Sequence, residues 1–185
     1  MEDQEFKGID YTENKLAKGE YENCRFINCL FSNSDISKID FMECEFENCD
    51  LSMAKITNTA FKDVRFKDCK LLGLHFEDCN PFLLTLGFEG CQLNLSSFYK
   101  LKLKNTKFIN CILREVDFLE TDLSASVFDN CDFAGAIIKN NNFEKADFRR
   151  SYNFSIDPEI NNIKKAKFSM SALAGLLDKY QIVIE

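Results

Sequence analysis

A large apolar residue returns at every fifth position along nearly the whole chain. From Phe6 the series runs Tyr11, Leu16, Tyr21, Phe26, Phe31, Ile36, Phe41, Phe46, Leu51, Ile56, Phe61, Phe66, Leu71 and Phe76. After a slip of two residues it resumes at Leu83 and continues from Phe88 to Phe148 at the same spacing. All 29 positions are apolar. A period of five fits neither the 3.6-residue turn of an α-helix nor the two-residue alternation of a strand. The chain is therefore a repeat array, in which each unit packs only on its neighbours and the two ends need caps.

Every fourth member of the series gives one column: Phe6, Phe26, Phe46, Phe66, Phe88, Phe108, Phe128 and Phe148, all Phe. The next column carries Cys29, Cys49, Cys69, Cys91, Cys111 and Cys131 two residues ahead of its apolar members. Residues 20 apart thus stack, and the unit is a coil of four five-residue sides. Identical side chains suit such stacking at the inter-strand spacing of about 4.8 Å. The columns stay aligned through the slip only if two residues within Asn80-Pro81-Phe82 bulge outward. A further column of Gly8, Asn28, Asn48, Asp68, Gly90, Asn110 and Asn130 holds residue types that tolerate left-handed backbone, and marks a corner. Phe168 rejoins the Phe column, giving about eight coils and a rod on the order of 40 Å long.

Eight of the nine cysteines lie in the small slot two residues before a member of the apolar series, as Ser34, Ala54, Thr59, Val116 and Ala146 do, and Cys79 holds the same phase just before the slip. A thiol there acts as a small buried hydrophobe. The C-x4-C pairs follow from the period rather than from zinc-ligand spacing, and an odd count disfavours a disulfide framework. The only histidine, His75, lies at an outward phase with no partner brought to it by the repeat. No phosphate loop, metal-spaced ligand set or nucleophile–base pair is visible, so the chain reads as non-enzymatic, without cofactor or metal.

The formal net charge is −7. Residues 1–80 hold 17 acids and 10 bases, whereas residues 81–185 hold 13 of each. Such a balance disfavours nucleic acid and favours a basic protein surface. Glu20, Glu22, Asp40, Glu43, Glu45, Glu47 and Asp63, from two successive sides, form the candidate patch, interrupted by Arg25, Lys62 and Arg65. The acidic start of the chain has no apolar run behind it and no stretch is long enough to span a membrane, so a cytoplasmic protein with no membrane partner is expected.

Beyond residue 168, Ser169 or Ser171 can cap a short helix. Leu173, Leu176, Leu177 and Tyr180 recur at one helical face, and Gln181-Ile182-Val183-Ile184-Glu185 reads as a short strand. Two readings of residues 169–185 stand open: a lid on the last coil, or a dimer surface, since a terminal strand with a free edge invites pairing.

A small residue, a polar one, Leu or Phe, and two more polar residues is the pentapeptide-repeat pattern. Ala146-Asp147-Phe148-Arg149-Arg150, Cys131-Asp132-Phe133-Ala134-Gly135 and Cys49-Asp50-Leu51-Ser52-Met53 resemble it closely, and the resemblance covers residues 4–168. It implies a right-handed quadrilateral β-helix, an all-β fold, with a short C-terminal α-helix and strand. Ile156-Asp157-Pro158-Glu159-Ile160-Asn161, followed by Ala166-Lys167-Phe168 and the Leu-rich segment, is similar to the ending of the gyrase-protecting subgroup, the microcin-immunity and quinolone-resistance proteins. That similarity implies a homodimer joined through the C-terminus by residues such as Leu173, Leu176, Leu177, Tyr180, Ile182 and Ile184. It also implies an acidic rod that mimics duplex DNA and contacts DNA gyrase or topoisomerase IV. The rival expectation is a protein-interaction scaffold with no topoisomerase role, using the bulge or outward apolar residues such as Leu30, Met42, Leu72, Ile109, Ile112 and Leu119.

Overall fold

The computed structural model describes residues 1–183, and the expectation for Ile184 lies outside them. The chain winds into a right-handed quadrilateral β-helix. Its short strands are β1 (Glu5–Lys7), β2 (Glu20–Glu22), β3 (Arg25–Ile27), β4 (Asp40–Met42), β5 (Glu45–Glu47), β6 (Ala60–Lys62), β7 (Val64–Lys67), β8 (Leu86–Glu89), β9 (Lys107–Ile109) and β10 (Val127–Asp129). They form two parallel sheets, β1-β3-β5-β7-β8-β9-β10 and β2-β4-β6. Register is in phase coil upon coil: Phe6 pairs with Phe26, Phe26 with Phe46 and Phe46 with Phe66. The seven-stranded sheet counts six turns, against the eight or so expected. The Phe column runs further, through Phe148 and Phe168, where pairing continues as isolated bridges such as Asp147 to Lys167.

The interior explains the period. The nine rings from Phe6 to Phe168 stack with centroids 4.7 to 5.6 Å apart and planes within 19° of parallel. Rings of other sides meet this stack edge-on, as Phe41 meets Phe26 at 5.8 Å and 84°, an arrangement suited to the aromatic quadrupole. Four faces result, each named by its inward residues: the Phe face; a second with Phe31, Leu51 and Leu71; a third with Ile36, Phe76 and Phe98; and a fourth with Tyr21, Phe41, Phe61, Leu103, Leu123 and Phe143, all buried.

The small slot does more than save space. Cys49 and Cys69 donate their thiols to the carbonyls of Phe26 and Phe46, each at 3.2 Å. Thr59, Thr121, Ser126 and Ser151 do the same with hydroxyls to carbonyls in the preceding coil, at 2.8 to 2.9 Å. Ser151 thus closes the thiol column, and Cys131 donates its backbone N–H to it. All nine thiols are free and buried. Burial pushes Cys44 up to about 11 and Cys79 up to about 12.

The corners are left-handed. Asn28, Asn48, Asp68 and Asn110 have φ between +51° and +54°, as their column predicts. The same conformation recurs at corners held by Lys38, Met53 and Leu95, with φ of +55° to +61°, where no residue type announces it and each side chain bears a steric cost.

The slip differs from expectation. Ala60 still pairs with Asn80, while Val64 pairs with Leu86, so the extra residues lie in a loop over 81–85. Asn80 stays in the ladder, its N–H donating to the Thr59 carbonyl at 2.9 Å. Leu83, expected inside, is exposed at φ +57°, and Leu84 packs on the core in its place. Asn80 Oδ1 accepts the Phe82 N–H at 3.0 Å, which turns the chain outward immediately and shifts the bulge one step along.

Thiol titration of the native protein should show slow labelling of all nine cysteines without metal release, and rapid labelling once unfolded. Phe66→Ala removes one ring from mid-stack and should cost about 3–5 kcal/mol, read as a lower denaturant midpoint.

Candidate functional surfaces

In-register stacking turns the outward positions into rows along the rod. On the fourth face Glu20 stacks on Asp40 and Glu22 on Met42, with Lys62 next to Met42. On the adjoining Phe face Arg25, Glu45 and Arg65 form one row, and Ile27, Glu47 and Lys67 another. All seven predicted acids therefore lie together around β2 to β7, but they are not equivalent. Glu47 accepts Lys67 at 3.0 Å and Arg25 at 3.2 Å, Lys67 first holding its carboxyl below the usual range. Asp40 pairs with Lys62 at 3.4 Å. Among the described residues Glu20, Glu22, Glu43, Glu45 and Asp63 have no ion-pair partner. Glu2, bridged to Glu22, extends the fourth-face row by one coil. The repeat series starts at Phe6, so periodicity gives no sign of that strand-like entry.

Among the described residues, the loop over 81–85 is the one interruption of the fourth face. Phe82 and Leu83 project from it, 66% and 62% exposed. Pro81 is exposed beside them, and Leu84 anchors the loop to the core.

The C-terminal segment lies against the end of the rod. It is two 3-10 helices, Met170–Leu176 and Asp178–Tyr180, rather than the expected α-helix. Gln181–Val183 carry no strand, Gln181 being left-handed at φ +50°. The Ser169 hydroxyl makes no cap bond and meets that of Ser171 at 3.1 Å. Docking explains the tighter helix: the Ile156 N–H donates to the Gly175 carbonyl at 2.9 Å, and a Cβ on Gly175 would stand 2.7 Å from the Phe154 ring. Lys179 Nζ reaches Asp157 and Glu159, each at 2.7 Å, and the Tyr180 hydroxyl donates to Glu159 at 2.8 Å. This anchor is invisible in the sequence because its members meet only once the segment folds back. Ala172 and Leu176 pack on the core, whereas Leu173, Leu177, Tyr180 and Ile182 face solvent. The face predicted as a unit is thus split.

Elsewhere, His75 Nδ1 meets Glu77 Oε1 at 3.0 Å on the third face. Among the described residues no group of His, Cys, Asp and Glu could hold a metal ion, and no helix is long and apolar enough to cross a membrane. Of the outward apolar residues, Leu30 and Ile112 are exposed, while Met42, Leu72, Ile109 and Leu119 are half-buried.

The five-residue repeat has a counterpart in known proteins. A family profile described as "Pentapeptide repeat region" matches residues 19–81 and 83–154. The chain belongs to the pentapeptide-repeat family. The break between the two matched stretches falls at Phe82, inside the loop. Among solved structures this pentapeptide-repeat rod is similar to full-length QnrB1, described as a plasmid-mediated fluoroquinolone resistance protein. That match has 19% identity and a TM-score of 0.60, covering 98% of this chain and 99% of the other. Two trypsin-treated QnrB1 variants match at 19% identity with TM-scores of 0.60 and 0.59, covering 98% and 100% of this chain and 99% of each of theirs. At this identity the likeness establishes the fold. No curated protein sequence matches the chain.

Two measurements follow. The depressed carboxyls of Asp157 and Glu159, each held down first by the Lys179 hydrogen bond, stabilise the docked segment above their unfolded values of 3.8 and 4.5. That contribution is lost as pH falls through the folded values, so amide exchange in residues 170–183 should accelerate selectively at acid pH. Gly175→Leu should undock the segment and raise exchange in the last coil at neutral pH, whereas Leu177→Asp should leave that exchange unchanged.

Proposed function

We propose that this rod is a non-enzymatic binder of a type II topoisomerase, DNA gyrase or topoisomerase IV, whose DNA-binding groove it enters as a DNA mimic. In doing so it protects the enzyme from a toxin or quinolone. The observation that carries the reading is the cluster of unpaired acids on two adjoining faces, Glu20, Glu22, Glu43, Glu45 and Asp63. They occupy roughly 10 Å of rod axis at the coil spacing, where the seven acids less Arg25, Lys62, Arg65 and Lys67 leave a net charge of about −3, one per ~3 Å. Duplex DNA carries one per ~1.7 Å, so over that stretch the rod offers about half that density, of the same sign, to a groove evolved for phosphates. The fluoroquinolone-resistance role of QnrB1, which the rod matches over nearly its whole length, supports the same reading.

The docked C-terminal segment, with Leu173, Leu177, Tyr180 and Ile182 outward, leaves room for both functions of the tail. Its inner face is a lid, and its outer face is the surface through which two rods join end to end. Such a dimer carries the acidic patches at its far ends, in the cytoplasm where topoisomerases act.

In a gyrase supercoiling assay with a fluoroquinolone, the wild-type rod should preserve supercoiling at micromolar concentration. Glu20→Lys/Glu22→Lys/Glu43→Lys should lose that protection at unchanged thermal stability, and rising salt should weaken it. Absence of any effect by the wild-type rod on gyrase and topoisomerase IV overturns the reading and leaves a scaffold for another protein, for which exposed Phe82 and Leu83 are the first contacts to test.

A further inference from the structure

The fourth face is divided by sign along the rod. On the N-terminal side of the loop it presents Glu20, Glu22, Asp40, Glu43 and Asp63 against one base, Lys62, which is tied to Asp40. On the C-terminal side it presents Lys102, Lys104, Lys145, Lys164 and Lys165 against two acids. Those are Asp122 and Glu144, tied to Lys104 at 3.4 Å and Lys145 at 3.8 Å. Lys102, Lys164 and Lys165 have no acidic partner among the described residues. The rows are continuous in each half, Glu20 to Asp40 to Ala60 and Lys102 to Asp122 to Asn142 to Asn162. Between the halves, near the midpoint, stand exposed Phe82 and Leu83.

We propose that this face docks a second copy of the chain lying antiparallel, across a two-fold axis between the coil of Leu84 and the coil of Leu103. Rotation about that axis sets Glu20 and Glu22 over Lys164 and Lys165 of the second copy, and Asp40 and Glu43 over its Lys145. It sets each Phe82-Leu83 tip over the coil of Leu103 of the second copy, between its Lys102 and Lys104, with the two tips one coil apart. The contact is isologous, so every complementary pair is made twice. Parallel stacking sets like charges over like, and a shift of one coil either way sets Asp40 over Asp122 of the second copy or Lys102 over its Lys102. The occupant and its register are thus selected by charge. A face of roughly 40 by 15 Å buries about 600 Å2 per copy, at the low end of specific interfaces. The association is accordingly weak, reversible and sensitive to salt. It covers Glu20, Glu22, Glu43 and Asp63, so a paired rod withholds half or more of its unpaired acids from any other partner. The inference stands independently of the topoisomerase reading.

The test is sedimentation velocity in a Leu177→Asp background, which removes end-to-end contact through the tail. Association should be present at low salt and fall at least tenfold in affinity at high salt. Lys164→Glu/Lys165→Glu and Glu20→Lys/Glu22→Lys should each abolish it alone, and mixing the two variants in equal amounts should restore it. Because the nine native thiols are buried, Phe82→Cys provides a single accessible thiol, which a short bismaleimide should link into a covalent dimer at low salt only. Failure of the mixed variants to associate overturns the charge pairing, and association without the covalent dimer overturns the antiparallel register. A wild-type face that remains monomeric at low salt overturns both.

Discussion

Everything in this molecule hangs on the in-phase pairing of one coil with the next. Each coil meets its neighbour at the inter-strand spacing, and that spacing is also the stacking distance of an aromatic ring. Backbone ladder and Phe column therefore reinforce each other at the same repeat, with centroids as close as 4.7 Å where Phe46 follows Phe26. A helix or an ordinary sheet offers no such coincidence of hydrogen-bond and ring spacing on an unbroken single line. The small slot obeys the same constraint. Only a short side chain fits beside the stack, and a thiol or hydroxyl there reaches a carbonyl in the coil before it, as Cys69 and Thr59 do.

The consequence for function is that the interior has no freedom and the exterior has a great deal. Outward residues form rows whose members are 20 positions apart in sequence and one coil apart in space. Charge can then be written along a face almost independently of the core, and on the fourth face it is written as acid, apolar loop, base. Such a surface selects partners by electrostatic pattern more than by shape, since every face is nearly flat. The loop matters because there the flat face acquires relief. It does so at small structural cost: Leu84 restores the inward contact, and the chain is back in the ladder where Thr85 donates to the Phe61 carbonyl at 3.0 Å.

Much of this was legible without coordinates, and the residues show why. The Phe and Cys columns announced the coil because a period of five sorted by four permits little else. Asn28, Asn48 and Asn110 announced one left-handed corner by residue type. Lys38, Met53 and Leu95 sit at equivalent corners unannounced, since there the coil imposes the conformation against local preference. At the slip, Asn80 stays in the ladder, and the hydrogen bond from the Phe82 N–H to the Asn80 side chain decides where the chain leaves it, which counting along the period does not reveal. In the tail, the apolar spacing read as one helical face. Docking against Phe154 and the Lys179 anchor instead tighten the segment into 3-10 turns and divide that face between core and solvent.

The sequence by itself determined the coil, its four sides, the burial of the thiols and the rows to which the charges belong. A strict repeat converts position in the chain directly into position in space. The tertiary structure alone decided which acids remain unpaired and which are tied to Lys62, Lys67 or Arg25. It alone also turned Phe82 and Leu83 outward and divided the tail between lid and surface. Those outcomes depend on side chains meeting across coils and on a segment folding back on the rod, and a linear period carries no information about either.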